Sequence, residues 1–279
     1  MRYEFRQSLL VVHLRRGGIV RAMKTAVYDT RWRENAVRGS AVSAQVIVEL
    51  VLEAVPARRV VDLGCGLGNW LAEFRRQGVA EVCGVDGPWF DVEALHIPAD
   101  SYVVADLGRP LPLDERYDLA VSLEVGEHLE ASQSRGFVDS LTRLAPVVLF
   151  SAAIPGQSGT HHVNLQWQDH WARLFDERGF AAVDYLRPRI WNNDAVKVFY
   201  RQNIAIYVDR ARLRDYSALA ECHRVTGGEL LALVHPQQYD MVRSRPMLLL
   251  RKQILGPVRA RLGAGGSLGA ISRLLPVRR

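Results

Sequence analysis

Short runs of β-branched and other apolar residues alternate along the chain with segments whose apolar residues recur every three or four positions. The first pattern is typical of buried strands and the second of helices that bury one face. Strands are predicted at 59–63, 81–85, 102–105, 117–123, 147–152, 181–186 and 203–208. Helices are predicted at 40–55, 70–77, 137–144 and 166–177. This alternation predicts an α/β fold, a doubly wound parallel sheet with helices on both faces.

The two ends of the chain differ from this alternating middle. The predicted divisions are a dispensable extension at 1–22, an N-terminal helical cap at 23–55, a core at 56–209, and a basic helical appendage and tail at 210–279. Met23 is the expected functional start. A signal peptide is the alternative interpretation of 1–22, although His13 interrupts its apolar stretch and no small-residue cleavage site follows.

The net charge of +6 is concentrated at the two ends. Residues 23–208 hold eighteen basic and twenty-four acidic side chains, whereas 209–279 hold thirteen basic and five acidic ones. Proteins that bind a nucleic-acid backbone line the working surface with Lys and Arg. The acidic middle of the chain therefore argues against a nucleic-acid substrate.

The three cysteines have neither metal-ligand spacing nor a disulfide pattern, which indicates a reducing compartment. No apolar run reaches the roughly 18–20 residues that a membrane span needs. We therefore expect a cytoplasmic protein without a transmembrane segment.

A glycine-rich turn follows the first predicted strand. Gly64, Gly66 and Gly68 allow a tight turn and let a ligand approach the backbone amides at the start of the next helix. Asp62 stands two residues before the first glycine, and Cys65 lies within the turn. The GxGxG spacing differs from the GxGxxG spacing of dinucleotide-binding folds, which favours a different nucleotide-like ligand.

Acidic residues end the next three predicted strands. Asp86 ends the second strand, where a carboxylate can accept the ribose hydroxyls of an adenosine. Asp106 and Leu107 end the third, where an acid and an apolar residue suit an adenine ring. The fourth strand opens into the polar segment 124–128, at the edge where α/β sheets bind ligands.

This ordered set of motifs closely resembles the class I methyltransferases that use S-adenosylmethionine, over about residues 28–208. The resemblance implies a Rossmann-like, seven-stranded sheet whose last strand is antiparallel. The segment 124–128 is similar to the small-molecule subset that includes quinone-biosynthesis methyltransferases. The stretch 151–167 resembles a bacterial branch often linked to glycan or secondary-metabolite genes. We therefore expect methyl transfer to oxygen or nitrogen of a small molecule or glycan precursor.

The resemblance also implies how the cofactor, S-adenosyl-L-methionine, is held. The glycine turn would hold its methionine part, and the strand-end acids its ribose and adenine. Glu124 and Val125 would line the sulfonium side. The predicted cofactor-binding residues are Asp62, Gly64, Cys65, Gly66, Gly68, Asp86, Asp106, Leu107, Glu124 and Val125.

Two histidines are the predicted catalytic residues. His128 follows the fourth strand and either takes the proton of the acceptor or positions it, because histidine suits proton transfer near neutral pH. Its alternative role is to hold Glu124 or Glu127 in place. His162 and Asn164 are expected in a loop that binds the acceptor. No metal is predicted, because a structural zinc site needs four ligands and no cysteine lies near.

Three other functions compete with this one. The first is an RNA or protein methyltransferase that docks through the basic C-terminal segment. The second is a scaffold that binds the cofactor without catalysis, which the intact turn and acids disfavour. The third is a Rossmann dehydrogenase, which the glycine spacing disfavours.

Overall fold

The structure is a computed structural model that describes residues 30–226 and 232–250. The predicted extension 1–22 and the tail 251–279 lie outside the described residues. The strands are β1 (Arg59–Leu63), β2 (Glu81–Asp86), β3 (Tyr102–Val104), β4 (Leu119–Leu123), β5 (Val147–Ser151), β6 (Phe180–Val183) and β7 (Ala205–Asp209). The helices are α1 (Thr30–Ala54), α2 (Asn69–Arg76), α3 (Ser134–Leu144), α4 (Gln168–Asp176), α5 (Arg187–Ile190), α6 (Val198–Asn203), α7 (Ser217–Thr226) and α8 (Pro236–Leu250).

The strands form one sheet in the order β3-β2-β1-β4-β5-β7-β6. Neighbouring strands are parallel except for β7, which runs antiparallel to both β5 and β6. From β1 the chain adds β2 and β3 on one side and then crosses to add β4 to β7 on the other side. The sheet is therefore doubly wound. The predicted seven-stranded, Rossmann-like sheet with an antiparallel last strand is confirmed.

The central strands are buried on both faces, because helices cover each side of the sheet. In β4, Leu119 and Val121 belong to one core cluster, whereas Ala120 between them belongs to the other. In β5, Leu149 and Val148 divide in the same way. Alternate side chains of each strand therefore supply two separate hydrophobic layers, and the strands read as continuous apolar runs.

Helix α1 is part of the first of these layers. Ile47, Val48 and Val51 are fully buried in the same cluster as Phe74 of α2. The hydroxyl of Ser43 accepts a hydrogen bond from the backbone N–H that precedes α6, at 3.0 Å. The segment predicted as a cap over the core thus contributes, from Ala44 onward, to the core itself.

The compact unit that holds the sheet continues to His235, beyond the predicted core end at 209. The reason is that α7 packs on β6 and buries Leu219 in the first core cluster. The predicted appendage therefore begins with residues that belong to the core. Helix α8 is assigned to a second unit. None of the helices in the described ranges has the length and apolar character needed to cross a membrane.

Two short helices between β6 and β7 differ from the prediction. The sequence predicts a strand at 203–208, but α6 occupies the residues up to Asn203 and the strand begins at Ala205. Helix α5 lies in a segment for which the sequence predicts neither a strand nor a helix. These helices are too short for a helical period to stand out. Their conformation follows from packing, since Ile190 and Tyr200 are buried in the first cluster.

The burial of α1 predicts a measurable contribution to stability. Val51 is fully buried, whereas Val42 in the same helix is 46% exposed. Val51→Ala removes buried methyl groups and leaves a cavity, so we expect a loss of about 1.5–3 kcal/mol in the free energy of unfolding. Val42→Ala makes the same chemical change and should stay within about 0.5 kcal/mol. Equal urea-denaturation midpoints for the two variants would contradict the packing of α1 on the core.

Candidate active site

The loop that joins β1 to α2 has a left-handed backbone at each of its three glycines. The φ angles of Gly64, Gly66 and Gly68 are +87°, +56° and +82°. A Cβ atom on Gly64 would lie 2.3 Å from Cγ2 of Val125, and one on Gly68 would lie 2.9 Å from Cγ1 of Ile97. Conformation and crowding both require glycine here, and the result is a turn with an accessible backbone.

The carboxylate of Asp86 fastens this loop to the end of β2. It accepts hydrogen bonds from the backbone N–H groups of Gly66 and Gly87, both at 2.7 Å. Burial nevertheless raises the pKa of Asp86 to about 6. Asp62 is buried as well, and burial, together with the charge of Asp86, raises its pKa well above the usual range. Two acids therefore stand together beneath the loop.

The predicted adenine-binding pair follows the end of β3. Asp106 is exposed, and its carboxylate accepts the N–H of Gly108 at 2.9 Å and pairs with Arg109 at 3.3 Å. Leu107 is half-buried. Neither Asp106 nor Leu107 contributes to the walls of the large cavity beside the loop.

That cavity has a volume of about 490 Å³ and lies at the carboxyl edge of the sheet. Its walls come from the glycine loop, the end of β4, the loop after β5 and the start of α6. Among the residues that line it are Gly64, Cys65, Gly66, Trp70, Phe90, Glu124, Glu127, His128, His162, Lys197 and Tyr200. The structure thus brings the predicted histidines to the same cavity as the glycine loop.

Glu124 lies at the centre of a hydrogen-bond network in this cavity. Its carboxylate accepts hydrogen bonds from the side-chain amides of Gln157, at 2.7 Å, and Asn203, at 3.1 Å. Burial raises its pKa although these donors favour the charged form. Its φ of +57° is unusual for a residue other than glycine. Such strain is found at functional sites, where the surrounding structure holds it.

Glu127, His128 and His162 face one another across the same cavity. Nε2 of His162 lies 4.0 Å from Oε1 of Glu127, and the two imidazole ring centroids are 5.0 Å apart. Burial, followed by the charge of Glu124, raises the pKa of Glu127 well above its usual range. Burial and then His162 lower the pKa of His128 to about 4, and burial lowers the pKa of His162. Both imidazoles are therefore neutral at pH 7 and carry a free lone pair.

Asn164 has a structural position instead of the predicted role in binding the acceptor. Its side chain is buried and donates to the carbonyl of Gly126, at 3.2 Å, and to the hydroxyl of Ser134, at 2.9 Å. It does not line the cavity. The amide fixes the turn that carries Glu127 and His128.

Gln157, Asn203, Lys197 and Tyr200 belong to the site but were not singled out in the sequence. Gln157 follows a strand end, which is a weak signal for a ligand-binding loop. The sequence predicts Asn203 as the first residue of a strand, whereas in the structure it is the last residue of α6 and its amide donates to Glu124. Tyr200 belongs to α6 and Lys197 directly precedes it, and the sequence pattern does not show this helix.

Comparison with solved structures gives the same fold at low sequence identity. A sugar N-methyltransferase, KedS8, from a Streptoalloteichus species is 16% identical, with a TM-score of 0.50 over 70% of this chain and 98% of that one. An O-methyltransferase family protein from Burkholderia thailandensis is 17% identical (TM-score 0.48; 66% and 60% of the chains). The methyltransferase domain of bacterial CtHen1-C is 18% identical (TM-score 0.46; 61% and 97%). No curated protein matches the chain.

The family of the chain follows from its sequence. The family model described as a methyltransferase domain matches residues 33–185, which is more than half of the chain and includes the glycine loop, Asp86 and the segment 124–128. The resemblance to the class I enzymes is confirmed, whereas the narrower likeness to the quinone-biosynthesis subset stays a prediction. The chain belongs to the methyltransferase domain family and has the fold of class I S-adenosylmethionine-dependent methyltransferases.

Proposed function

We propose that this protein transfers a methyl group from S-adenosylmethionine to an oxygen or nitrogen atom of a small molecule or glycan precursor. The observation that carries the proposal is the single cavity that joins the glycine loop to Glu124, His128 and His162. The backbone of the glycine loop lines one end of this cavity and can bind a nucleotide-like ligand. The neutral imidazoles of His128 and His162 line the other end.

The residues present suit the cofactor. Gly66 faces the cavity, and a side chain there would project into it toward Phe90, so the glycine leaves room for a ligand. When bound, S-adenosylmethionine supplies a methyl group activated by a positively charged sulfonium. The proposed cofactor-binding set is Asp62, Gly64, Cys65, Gly66, Gly68, Asp86, Asp106, Leu107, Glu124 and Val125.

Each part of this set has a separate task. The glycine loop binds the methionine part through its backbone, and buried Asp62 supports the loop from below. Asp86 is already oriented by Gly66 and Gly87, and the remaining lone pairs of its carboxylate can accept ribose hydroxyls. Glu124 is held by two amides, so its carboxylate is fixed near the position proposed for the sulfonium charge.

The histidines occupy the acceptor side of the cavity. Methyl transfer is a displacement in which the enzyme mainly aligns the reactants and excludes water. His128 and His162 hold the acceptor atom that attacks the methyl carbon, and Trp70 and Tyr200 supply apolar wall area. The volume of about 490 Å³ is within the range of small-molecule sites, which supports a small acceptor or the end of a glycan.

Asp86 is expected to contribute to the binding of S-adenosylmethionine. Asp86→Asn keeps the shape of the side chain but removes its charge, so we expect the affinity for S-adenosylmethionine to fall roughly tenfold to a hundredfold. Glu93→Gln, an exposed acid in the following segment, should bind as the wild type does. Isothermal titration of the folded full chain measures both. Binding of NAD instead of S-adenosylmethionine by the wild type would contradict the assignment.

Because the pKa of Asp86 is raised, the affinity for S-adenosylmethionine is expected to depend on pH. Above its pKa of about 6 the side chain is a carboxylate that accepts ribose hydroxyls, and below it the protonated form accepts them less well. The dissociation constant for S-adenosylmethionine should therefore rise as the pH falls through about 6. Asp86→Asn should lose this rise, and a wild-type constant that is flat from pH 7 to pH 5 would refute the role of the carboxylate.

Replacement of His128 should impair methyl transfer without impairing the binding of S-adenosylmethionine. With an acceptor found by screening for release of S-adenosylhomocysteine, His128→Gln should lower kcat about 100- to 1000-fold, because it removes a group that holds the reacting atom in place. Its affinity for S-adenosylmethionine should stay within about twofold of the wild type. His170→Gln, outside the cavity, is the matched control. A His128→Gln variant that keeps full kcat would rule out a catalytic role for this residue.

A further inference from the structure

Glu127, His128 and His162 form a compact cluster of metal-ligating side chains. One ligand atom from each lies within 4.8 Å of the other two. Glu127 and His128 come from the short 3-10 turn after β4, and His162 comes from the loop after β5. Two loops that are distant in sequence thus converge on one point of the cavity wall.

The carboxylate of Glu127 is buried without a partner. Its side chain is 1% exposed, and neither oxygen has a hydrogen-bond partner among the residues that the structure describes. The backbone amides of Glu127 and Ala153 face it but do not reach hydrogen-bonding geometry. A carboxyl group that is buried without a hydrogen-bond partner is destabilised in either protonation state, and a bound cation would supply the missing partner.

The imidazole of His128 is oriented as that of a metal ligand is. Nδ1 of His128 lies 3.2 Å from the carbonyl oxygen of His161, which can only accept, so Nδ1 carries the proton and Nε2 keeps its lone pair. A hydrogen bond from the second ring nitrogen to a backbone carbonyl is the usual support of a metal-binding histidine. Nδ1 of His162 is buried and has no hydrogen-bond partner among the described residues.

Backbone hydrogen bonds hold the two loops together at this point. The carbonyl of Glu127 accepts the N–H groups of Val163, at 2.9 Å, and Asn164, at 3.1 Å. The turn also packs closely on Trp171, since a Cβ on Gly126 would lie 2.8 Å from its ring. The three side chains therefore project from a rigid frame, which is what a preformed site requires.

We propose that Glu127, His128 and His162 bind a divalent metal ion whose open coordination positions face the cavity and hold a hydroxyl oxygen of the acceptor. Three protein ligands with open positions are typical of catalytic metal sites, and structural zinc sites use four. Two imidazoles and one carboxylate suit Mn²⁺, Fe²⁺, Co²⁺ or Zn²⁺. The role in holding the acceptor rests on the proposed methyltransferase function, whereas the ion site itself does not.

The distances require only a small adjustment. Ligand atoms at about 2.1 Å from a shared ion stand about 3–3.5 Å from one another. The pair formed by His162 and Glu127 is at 4.0 Å, and the whole cluster is within 4.8 Å. The separations between ligand atoms must therefore shorten by up to about 1.3–1.8 Å, which rotations of the terminal side-chain groups can supply.

The ion makes hydroxyl oxygen the favoured acceptor atom. A hydroxyl bound to a divalent ion loses its proton to solvent more readily, because the ion stabilises the oxyanion. Transfer then forms one C–O bond, breaks the C–S bond of the sulfonium and releases S-adenosylhomocysteine. The sequence alone predicts no metal, because no cysteine lies near these histidines and no local pattern shows that Glu127 and His162 meet.

The test is a titration of the tag-free, chelator-treated full chain with Co²⁺, followed by calorimetry and by the visible absorption of the bound ion. We expect one Co²⁺ per chain at micromolar affinity, with d–d bands that report nitrogen ligands. Glu127→Gln and His162→Gln should each weaken binding at least tenfold. His96→Gln, an exposed histidine outside the cluster, should bind as the wild type does. Circular dichroism verifies that each variant is folded.

Two outcomes would overturn the proposal: wild-type protein that takes up no stoichiometric Co²⁺, or folded Glu127→Gln and His162→Gln variants that both bind it at wild-type affinity. Titration of the same samples with S-adenosylmethionine separates this failure from that of the proposed function. Cofactor binding without Co²⁺ binding rejects the metal site alone. Co²⁺ binding without cofactor binding rejects the methyltransferase function and leaves the ion site standing.

Discussion

The hydrogen bond from the backbone N–H of Gly66 to the carboxylate of Asp86, at 2.7 Å, joins the ends of β1 and β2. It holds the left-handed glycine loop in one conformation, and the loop in turn packs on Val125 at the end of β4. Three neighbouring strands thus meet through contacts at their carboxyl ends. The position of the proposed cofactor site, and of everything that borders it, depends on this junction.

The acceptor side is built differently from the cofactor side. The cofactor side relies on backbone turns and glycines, whereas the acceptor side relies on buried polar side chains tied by amides and carbonyls. Glu124 is fully engaged by Gln157 and Asn203, while Glu127 has no partner among the described residues. These two neighbouring carboxylates thus differ in their hydrogen bonding. The first is fixed in place, and the second is left available for a ligand.

The sequence predicts the cofactor half of the site better than the acceptor half. β1 was predicted with its observed bounds, because a β-branched run before a glycine turn is a local signal. The positions of Asp62, Asp86 and the glycines follow from strand ends in the same way. Gln157 follows β5 and Asn203 precedes β7, and only the tertiary fold brings their amides to Glu124. No local sequence pattern encodes these contacts. The metal cluster likewise depends on a contact between two loops.

The central claim is that one cavity holds the cofactor at the glycine loop and the acceptor at the histidines. The measurement that tests it most directly is a crystal structure of the full chain with S-adenosylhomocysteine. The account predicts the homocysteine part along residues 64–68, the ribose on Asp86, and the sulfur directed toward Glu124 and the cluster of Glu127, His128 and His162. A sulfur atom that points away from this cluster, or a ligand bound elsewhere, would contradict it.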